Sequence, residues 1–443
     1  MIPARNIRMA RLLASTSKKR ASKKAATKAA SNPKGSAASG KDAAAAAHDL
    51  PEPDLGRTVD LVMQLMAIRG GSGDEQEVAA FVVEQLKAAG CPADAISFDQ
   101  AHKKTPIGGN VGNLIVKLPG TLRGPRRLLM AHMDTVPVCL GSKPELKKVK
   151  GQRIIRSSDP STGLGADDRS GVAVVLATAI EILSRGLPHP PLTFFFAIQE
   201  EVGLWGARTV SAAALGRPKL AFNFDGGAAD KLTIGATGGH RLDIEIEGIP
   251  SHAGVAPEKG VSAVAIASLA IASLVEDGWH GLVSKGGKRG TSNVGVINAG
   301  NATNVVAERA TLKAEARGHD AGLRNRIVRA IEKAFKDAVR RVKSADGKSG
   351  RVDVAGHLDY EAFRLDEKEP CVVAATEALA SIGLTPRLDV SNGGLDANWM
   401  AAHGIPTVTL GCGQNEIHTT GEWLDVDAFE QACRIALRLA TGS

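Results

Sequence analysis

At 443 residues and 43% hydrophobic content, the chain is too long for one ordinary core and is expected to pack as two or three domains. The formal charge of +8 invites a nucleic-acid reading, yet residues 1–48 carry eleven Lys or Arg against one acid, Asp42, so the remaining body is mildly acidic. No apolar stretch approaches the roughly 20 residues that span a bilayer, and five scattered cysteines without a CxxC pair argue against a Cys-built zinc site and fit a reducing compartment.

Residues 1–50 read as a disordered basic leader. The run KKRASKKAATKAASNPKGSAASGKDAAAAA has too few large apolar side chains to offset the entropy of ordering. Cytoplasmic localisation is expected, with a mitochondrial transit peptide as the other reading, because the first 30 residues are rich in Arg, Lys, Ser and Ala and hold no acid. Nonspecific contact of this tail with polyanions is the only nucleic-acid binding expected, and no membrane association is.

Ordered structure is expected from Leu55, with helical apolar spacing in DLGRTVDLVMQLMAIRG and again in DEQEVAAFVVEQLKAAG. Strands follow in GNLIVKLPG and RRLLMAHMD. A helix over 168–185, a strand over 192–198, a helix over 206–215 and a strand over 219–224 continue an alternation that implies a mainly parallel sheet covered by helices. Beyond Asp225 the texture changes. HRLDIEIEG alternates as a half-buried strand, an Ala-rich helix covers 261–276, SNVGVINAG and NVVAERATLKAEARG are strands, and a charged helix covers 323–342. From about Tyr360 the first texture returns, with a helix over 369–382, a strand over 386–390, the turn SNGGLDAN, a strand over 405–410 and a last helix from Val426. The fold class expected is α/β, with a catalytic domain over 51–235 and 353–443 and an inserted α+β domain over 236–352.

Acids and imidazoles sit just beyond the apolar runs, where ligands bind in open α/β sheets. In LLMAHMD the strand period of two puts His132 and Asp134 on one side, so the Asp orients the imidazole or sits behind a metal. In GLGADDRSG one of Asp167 and Asp168 ligates while the other caps the following helix. Glu200 and Glu201 end the FFFAI run. Adjacent carboxylates there repel unless a cation or shared proton intervenes, so one is expected to bind metal and the other to act as general base. Asp225 and His418 complete the set. Two His and three carboxylates, one bridging, suit two Zn2+ per chain roughly 3.5–4 Å apart, and Mn2+ or Co2+ also suits so oxygen-rich a site.

At these motifs the chain resembles the two-zinc metallopeptidases related to peptidase T (the tripeptide aminopeptidase), glutamate carboxypeptidase and aminoacylase. The resemblance covers 55–443. It implies that His132, Asp167 and Asp225 hold one metal and His418, Asp167 and Glu201 the other, with Asp167 bridging. It implies Glu200 as general base, with Asp134 orienting His132. It further implies a ferredoxin-like lid that mediates a homodimer, in which His252 of PSHAG polarises the scissile carbonyl, across the dimer or within one copy. Asn304 and Arg317 would contact substrate, the Arg by a bidentate grip on a carboxylate, although Glu315 and Asp320 are local partners for the same guanidinium. Gly393 and Gly394 match the family's GG-T-D loop, with Leu395 replacing the usual small polar residue. QEEVGLWGA is also similar to the large self-compartmentalising aminopeptidases, but in those the extra domain interrupts the chain between the first His and the bridging Asp, whereas here it follows Asp225.

The function expected is therefore a dinuclear zinc exopeptidase hydrolysing short peptides, most like a tripeptide aminopeptidase, through a metal-bridging hydroxide activated by Glu200. A carboxypeptidase or N-acyl amino acid deacylase on the same site is the alternative. A non-catalytic binding protein with a polyanion-binding tail is the reading from another class.

Overall fold

The computed structural model describes residues 51–442; the basic leader expected over 1–50, with its transit-peptide and polyanion readings, lies outside the described residues. The elements begin with α1 (Leu55–Ala67), α2 (Gln76–Ala88), β1 (Ile96–Phe98), β2 (Leu114–Leu118), β3 (Arg127–His132), β4 (Pro144–Val149), β5 (Gln152–Ser157), α3 (Ala166–Arg185), β6 (Leu192–Ala197), α4 (Trp205–Thr209), β7 (Leu220–Phe224) and β8 (Lys231–Ala236). A second group follows: β9 (Gly238–Glu247), α5 (Ala263–Glu276), β10 (Gly281–Lys285), β11 (Lys288–Ala299), β12 (Arg309–Gly318), α6 (Ala321–Arg341) and β13 (Arg351–Tyr360). The chain then returns through β14 (Phe363–Arg364), α7 (Pro370–Ser381), β15 (Arg387–Ser391), α8 (Asp396–Ala402), β16 (Thr407–Leu410), β17 (Gln414–Asn415), β18 (Trp423–Asp425) and α9 (Val426–Thr441).

The larger sheet has the order β1-β2-β6-β3-β7-β16-β8-β14, with β15 also on β8. β3 runs parallel to β6 and β7, and β16 parallel to β7, so the middle is parallel while β2 and β8 join it antiparallel. A parallel middle has helices on both faces, which is why its strands read as unbroken apolar runs. Phe194 and Phe196 enter one core and Phe195 the core on the opposite face, the period of two in a strand buried on both sides. α3 is buried from Ala166 to Ile182 and packs against β3, α1 and α9. Among the described residues no helix is long and apolar enough to cross a membrane.

The inserted group forms its own antiparallel sheet, β10-β11-β12-β9-β13, with α5 and α6 against one face. Leu242, Ile244 and Ile246 of β9 alternate with the exposed Arg241, Asp243, Glu245 and Glu247, and only the first set joins a core with Leu312, Ile327 and Phe335. The order β11-β12-β9-β13 with two helices is the split βαβ, ferredoxin-like arrangement, to which β10 adds one strand.

The structure departs from the sequence reading at several elements, among them the helix Asp396–Ala402, which begins inside the expected SNGGLDAN turn. The helix expected over 206–215 stops at Thr209, where Val210 turns extended and the Ser211 hydroxyl captures the Ala214 N–H at 3.2 Å, a local bond that competes with the helix. The β4–β5 hairpin has no clear apolar period, because most of its residues are exposed and only Ile154 and Ile155 are buried. β13 pairs with β9 as far as Tyr360, so the boundary expected at residue 352 falls inside a strand of the smaller sheet. Phe335→Ala is expected to destabilise the chain by about 3–5 kcal/mol, because Phe335 is wholly buried in the core of the smaller sheet and its helices; urea unfolding measures it.

Candidate metal centre

His132 ends β3, Asp225 follows β7, and Glu200 and Glu201 lie just past β6, so three neighbouring strands deliver their acids and imidazole to one carboxyl edge. His418 arrives after β16 on a loop where it adopts φ 63°, a left-handed conformation that a non-glycine residue holds only under constraint. Gln199, Leu204 and Glu416, close by in the chain, share this feature.

Two clusters result. His132, Asp167 and Asp225 present ligand atoms within 4.8 Å of one another, as do Asp167, Glu201 and His418. His132 Nε2 lies 3.0 Å from Asp167 Oδ1 and 4.0 Å from Asp225 Oδ1. His418 Nε2 lies 3.2 Å from Asp167 Oδ2 and 3.1 Å from Glu201. Asp167 thus offers one oxygen to each imidazole. Two imidazoles and three carboxylates match the donor set that zinc, manganese or cobalt takes, so the residues present fit a pair of divalent cations.

The charges are strongly coupled. Burial pushes Glu200 well above the usual carboxylate range, with the charges of Asp225, Asp396 and Glu201 adding to it. Burial and the Asp167 charge raise Asp225 to about 7. Burial opposes ionisation of Asp167, yet its hydrogen bonds with His132 and His418 hold it low. Burial would likewise depress His132, and Asp134 and Asp167 hold it well above its ordinary value. His418, bonded to Asp167 and Glu201, rises to about 10.

Asp134 sits behind this edge. Its Oδ1 lies 3.3 Å from His132 Nδ1, which is also 3.1 Å from the Asp134 backbone carbonyl, and accepts the Glu200 N–H at 3.0 Å, while Oδ2 accepts the Ser72 hydroxyl at 2.6 Å and the Glu201 N–H at 3.2 Å. Asp134 therefore engages the imidazole through backbone and side chain, and its carboxylate fastens the turn carrying both glutamates. Asp168 takes the capping part: Oδ1 accepts the Gly171 N–H at 3.0 Å and Oδ2 the His132 N–H at 3.1 Å.

The two clusters open into a cleft of about 550 Å³ whose lining includes Arg241, Arg317, Tyr360 and Gly394. Arg317 makes two bonds to Glu315, Nε and Nη2 each at 3.0 Å, so the local ion pair is the arrangement present. Gly394 packs against Tyr360, where a Cβ would come within 2.3 Å of the ring. His252 and Asn304 lie outside the cleft lining and are exposed. His252 Nδ1 accepts the N–H groups of Gly254 and Val255 at 3.2 and 3.1 Å, and the Asn304 carbonyl accepts the Ala253 N–H at 2.9 Å.

Sequence reading passed over four residues of this region. Ser72 and Glu422 bond to backbone or site acids from distant segments, and no local pattern marks them. Asp396 is 1% exposed, pushed up to about 8 by burial and the charges of Asp225 and Asp134, and neither of its oxygens has a hydrogen-bond partner among the described residues. It stood in the SNGGLDAN turn as the acid after the glycines. Tyr360 had a visible signal, being the single tyrosine of the chain.

Residues 128–442 match the sequence model described as Peptidase family M20/M25/M40. The chain is 30% identical over 386 residues to YqjE of Bacillus subtilis (strain 168), spanning 86% of this chain and 97% of that one. It is 29% identical over 389 residues to Carboxypeptidase G2 of Pseudomonas sp. (strain RS-16), spanning 85% and 86% respectively. Among solved structures it is similar to aminopeptidase PepT from Bacillus cereus ATCC 10987, with a TM-score of 0.73 and 31% identity over 88% of this chain and 98% of that one. The Gly394 contact yields a prediction: Gly394→Ala drives a methyl into the Tyr360 ring and should lower stability by about 1–3 kcal/mol in thermal denaturation.

Proposed function

The chain belongs to peptidase family M20/M25/M40 and is a peptide-bond hydrolase, and from that premise we propose a cytoplasmic dinuclear zinc exopeptidase, most like a tripeptide aminopeptidase. The observation that carries the proposal is the pair of triads sharing Asp167. His132, Asp167 and Asp225 would hold one ion, and Asp167, Glu201 and His418 the other. When bound, such ions act as Lewis acids on a carbonyl and lower the pKa of water toward neutrality.

Glu200 is the proposed general base. Its backbone is clamped by Asp134, and burial raises its carboxyl above the usual carboxylate range, which favours its taking up a proton. Glu200 takes the proton of the attacking water and returns it to the leaving amine. Asp134 keeps the Nδ1 side of His132 engaged, which leaves Nε2 for the centre. The likeness to PepT, named an aminopeptidase, supports the aminopeptidase reading.

Arg317 lines the cleft, and we propose that it exchanges Glu315 for a substrate carboxylate, a bidentate swap its guanidinium can make without loss of hydrogen bonds. Gly394 would let the substrate backbone approach beside Tyr360. We further propose a homodimer through the inserted unit, in which His252 of one copy reaches the cleft of the other and polarises the scissile carbonyl, with Asn304 beside it. Their exposure outside the cleft of their own copy supports this.

The likeness to Carboxypeptidase G2 favours a second reading, a carboxypeptidase or deacylase on the same centre. Tripeptides blocked at one end separate the two. The aminopeptidase must fail on the N-blocked peptide, and cleavage of that peptide replaces the reading. Glu200→Ala should reduce kcat by about 10²–10⁴-fold with the metal content of the purified chain unchanged; full activity removes Glu200 from its role.

A further inference from the structure

Glu422 lies four residues past His418 and is 2% exposed. Its carboxylate accepts four hydrogen bonds. Oε2 takes the Gly165 N–H at 2.7 Å, the Leu164 N–H at 2.9 Å and the Cys139 thiol at 3.1 Å, while Oε1 takes the Asp167 N–H at 3.0 Å. The three backbone donors belong to the segment 164–167, ahead of Asp168, whose side chain caps the regular turns of α3. An acid from the far end of the chain thus satisfies buried backbone donors that the Asp168 cap does not reach.

The packing requires that acid to sit close. A Cβ at Gly163 would fall 2.8 Å from both Cys139 Sγ and the Thr419 carbonyl oxygen, and 3.1 Å from Glu422 Oε2. The segment carrying Asp167 and the loop carrying His418 thus meet at one carboxylate, with His418 Nε2 only 3.2 Å from Asp167 Oδ2. Resting on the two-metal reading above, we infer that Glu422 is a positioning residue that holds Asp167 in place between the two ions and locks the His418 loop to it.

Glutamine cannot replace it. Its amide has one acceptor oxygen, so in either orientation an NH2 group faces a backbone donor and leaves that donor unpaired. Glu422→Gln is therefore expected to weaken Zn2+ binding by the folded chain about 10–100-fold, read by competition with a chromophoric chelator and as a smaller metal-induced rise in Tm. Turnover should recover as Zn2+ is raised, which a misfolded fraction would not do. Cys139→Ala, which removes one donor and keeps the carboxylate, should change affinity far less. Gly163→Ala provides a second route, because its methyl crowds Cys139, the Thr419 carbonyl of the His418 loop and the Glu422 carboxylate together, and circular dichroism checks that the variant is folded. Wild-type Zn2+ affinity in Glu422→Gln or in folded Gly163→Ala overturns the inference, as does a loss in Cys139→Ala equal to that in Glu422→Gln. A wild-type chain that binds no Zn2+ overturns the two-metal reading and this inference together, whereas two ions in wild type with an unaffected Gln variant overturns only this one.

Discussion

Asp167, Glu200, Glu201 and Asp225 converge on two imidazoles at a single sheet edge, and Asp168 and Asp396 lie just beneath them. Burial of like charges at these separations is the constraint on which the rest of the architecture depends. Burial first, and then the neighbouring carboxylates, raise Asp225, Glu200 and Asp396, and imidazoles, backbone donors and cations offset that cost. The same repulsion makes the edge receptive to divalent ions and keeps a protonatable glutamate beside them.

The chain meets this constraint with a recurring device, in which a buried acid from one segment accepts the backbone N–H groups of another that carries a site residue. Asp134 holds the Glu200–Glu201 turn, Asp168 holds the His132 N–H, and Glu422 holds the segment leading to Asp167. Such bonds to a buried carboxyl group fix backbone rather than side-chain rotamers and leave few buried donors unpaired. They also accompany backbone conformations that would otherwise relax: Gln199, Leu204, Glu416 and His418 all have positive φ. The larger sheet provides the rigid strand ends, and the smaller one, with a separate core, brings Arg317 and Tyr360 over the cleft.

Much of this was legible in the chain. The alternation of β9 and the apolar runs of β3, β6 and β7 follow directly from burial on one face or two, and acids and histidines just past those runs announced the centre. The β4–β5 hairpin and β13 were not legible, because strands with mostly exposed residues carry no clear apolar period and take their place from pairing, β13 with the distant β9. Arg317 illustrates a different limit: its neighbours in the chain, Glu315 and Asp320, were both candidate partners, and the strand period places Glu315 on the same face.

Local pattern by itself pointed to the parallel strands and the main helices, to the change of texture after Asp225, and to the five side chains that form the two clusters, because burial and strand direction act through nearest neighbours. Tertiary structure alone decided that Asp168 rather than Asp167 caps α3, that Asp134 clamps both glutamates, that Glu422 closes the gap between the Asp167 and His418 segments, and that His252 and Asn304 lie outside the cleft of their own chain. The reason is physical. A hydrogen bond between residues some 250 positions apart depends on how whole elements pack, and no periodicity within either segment encodes it.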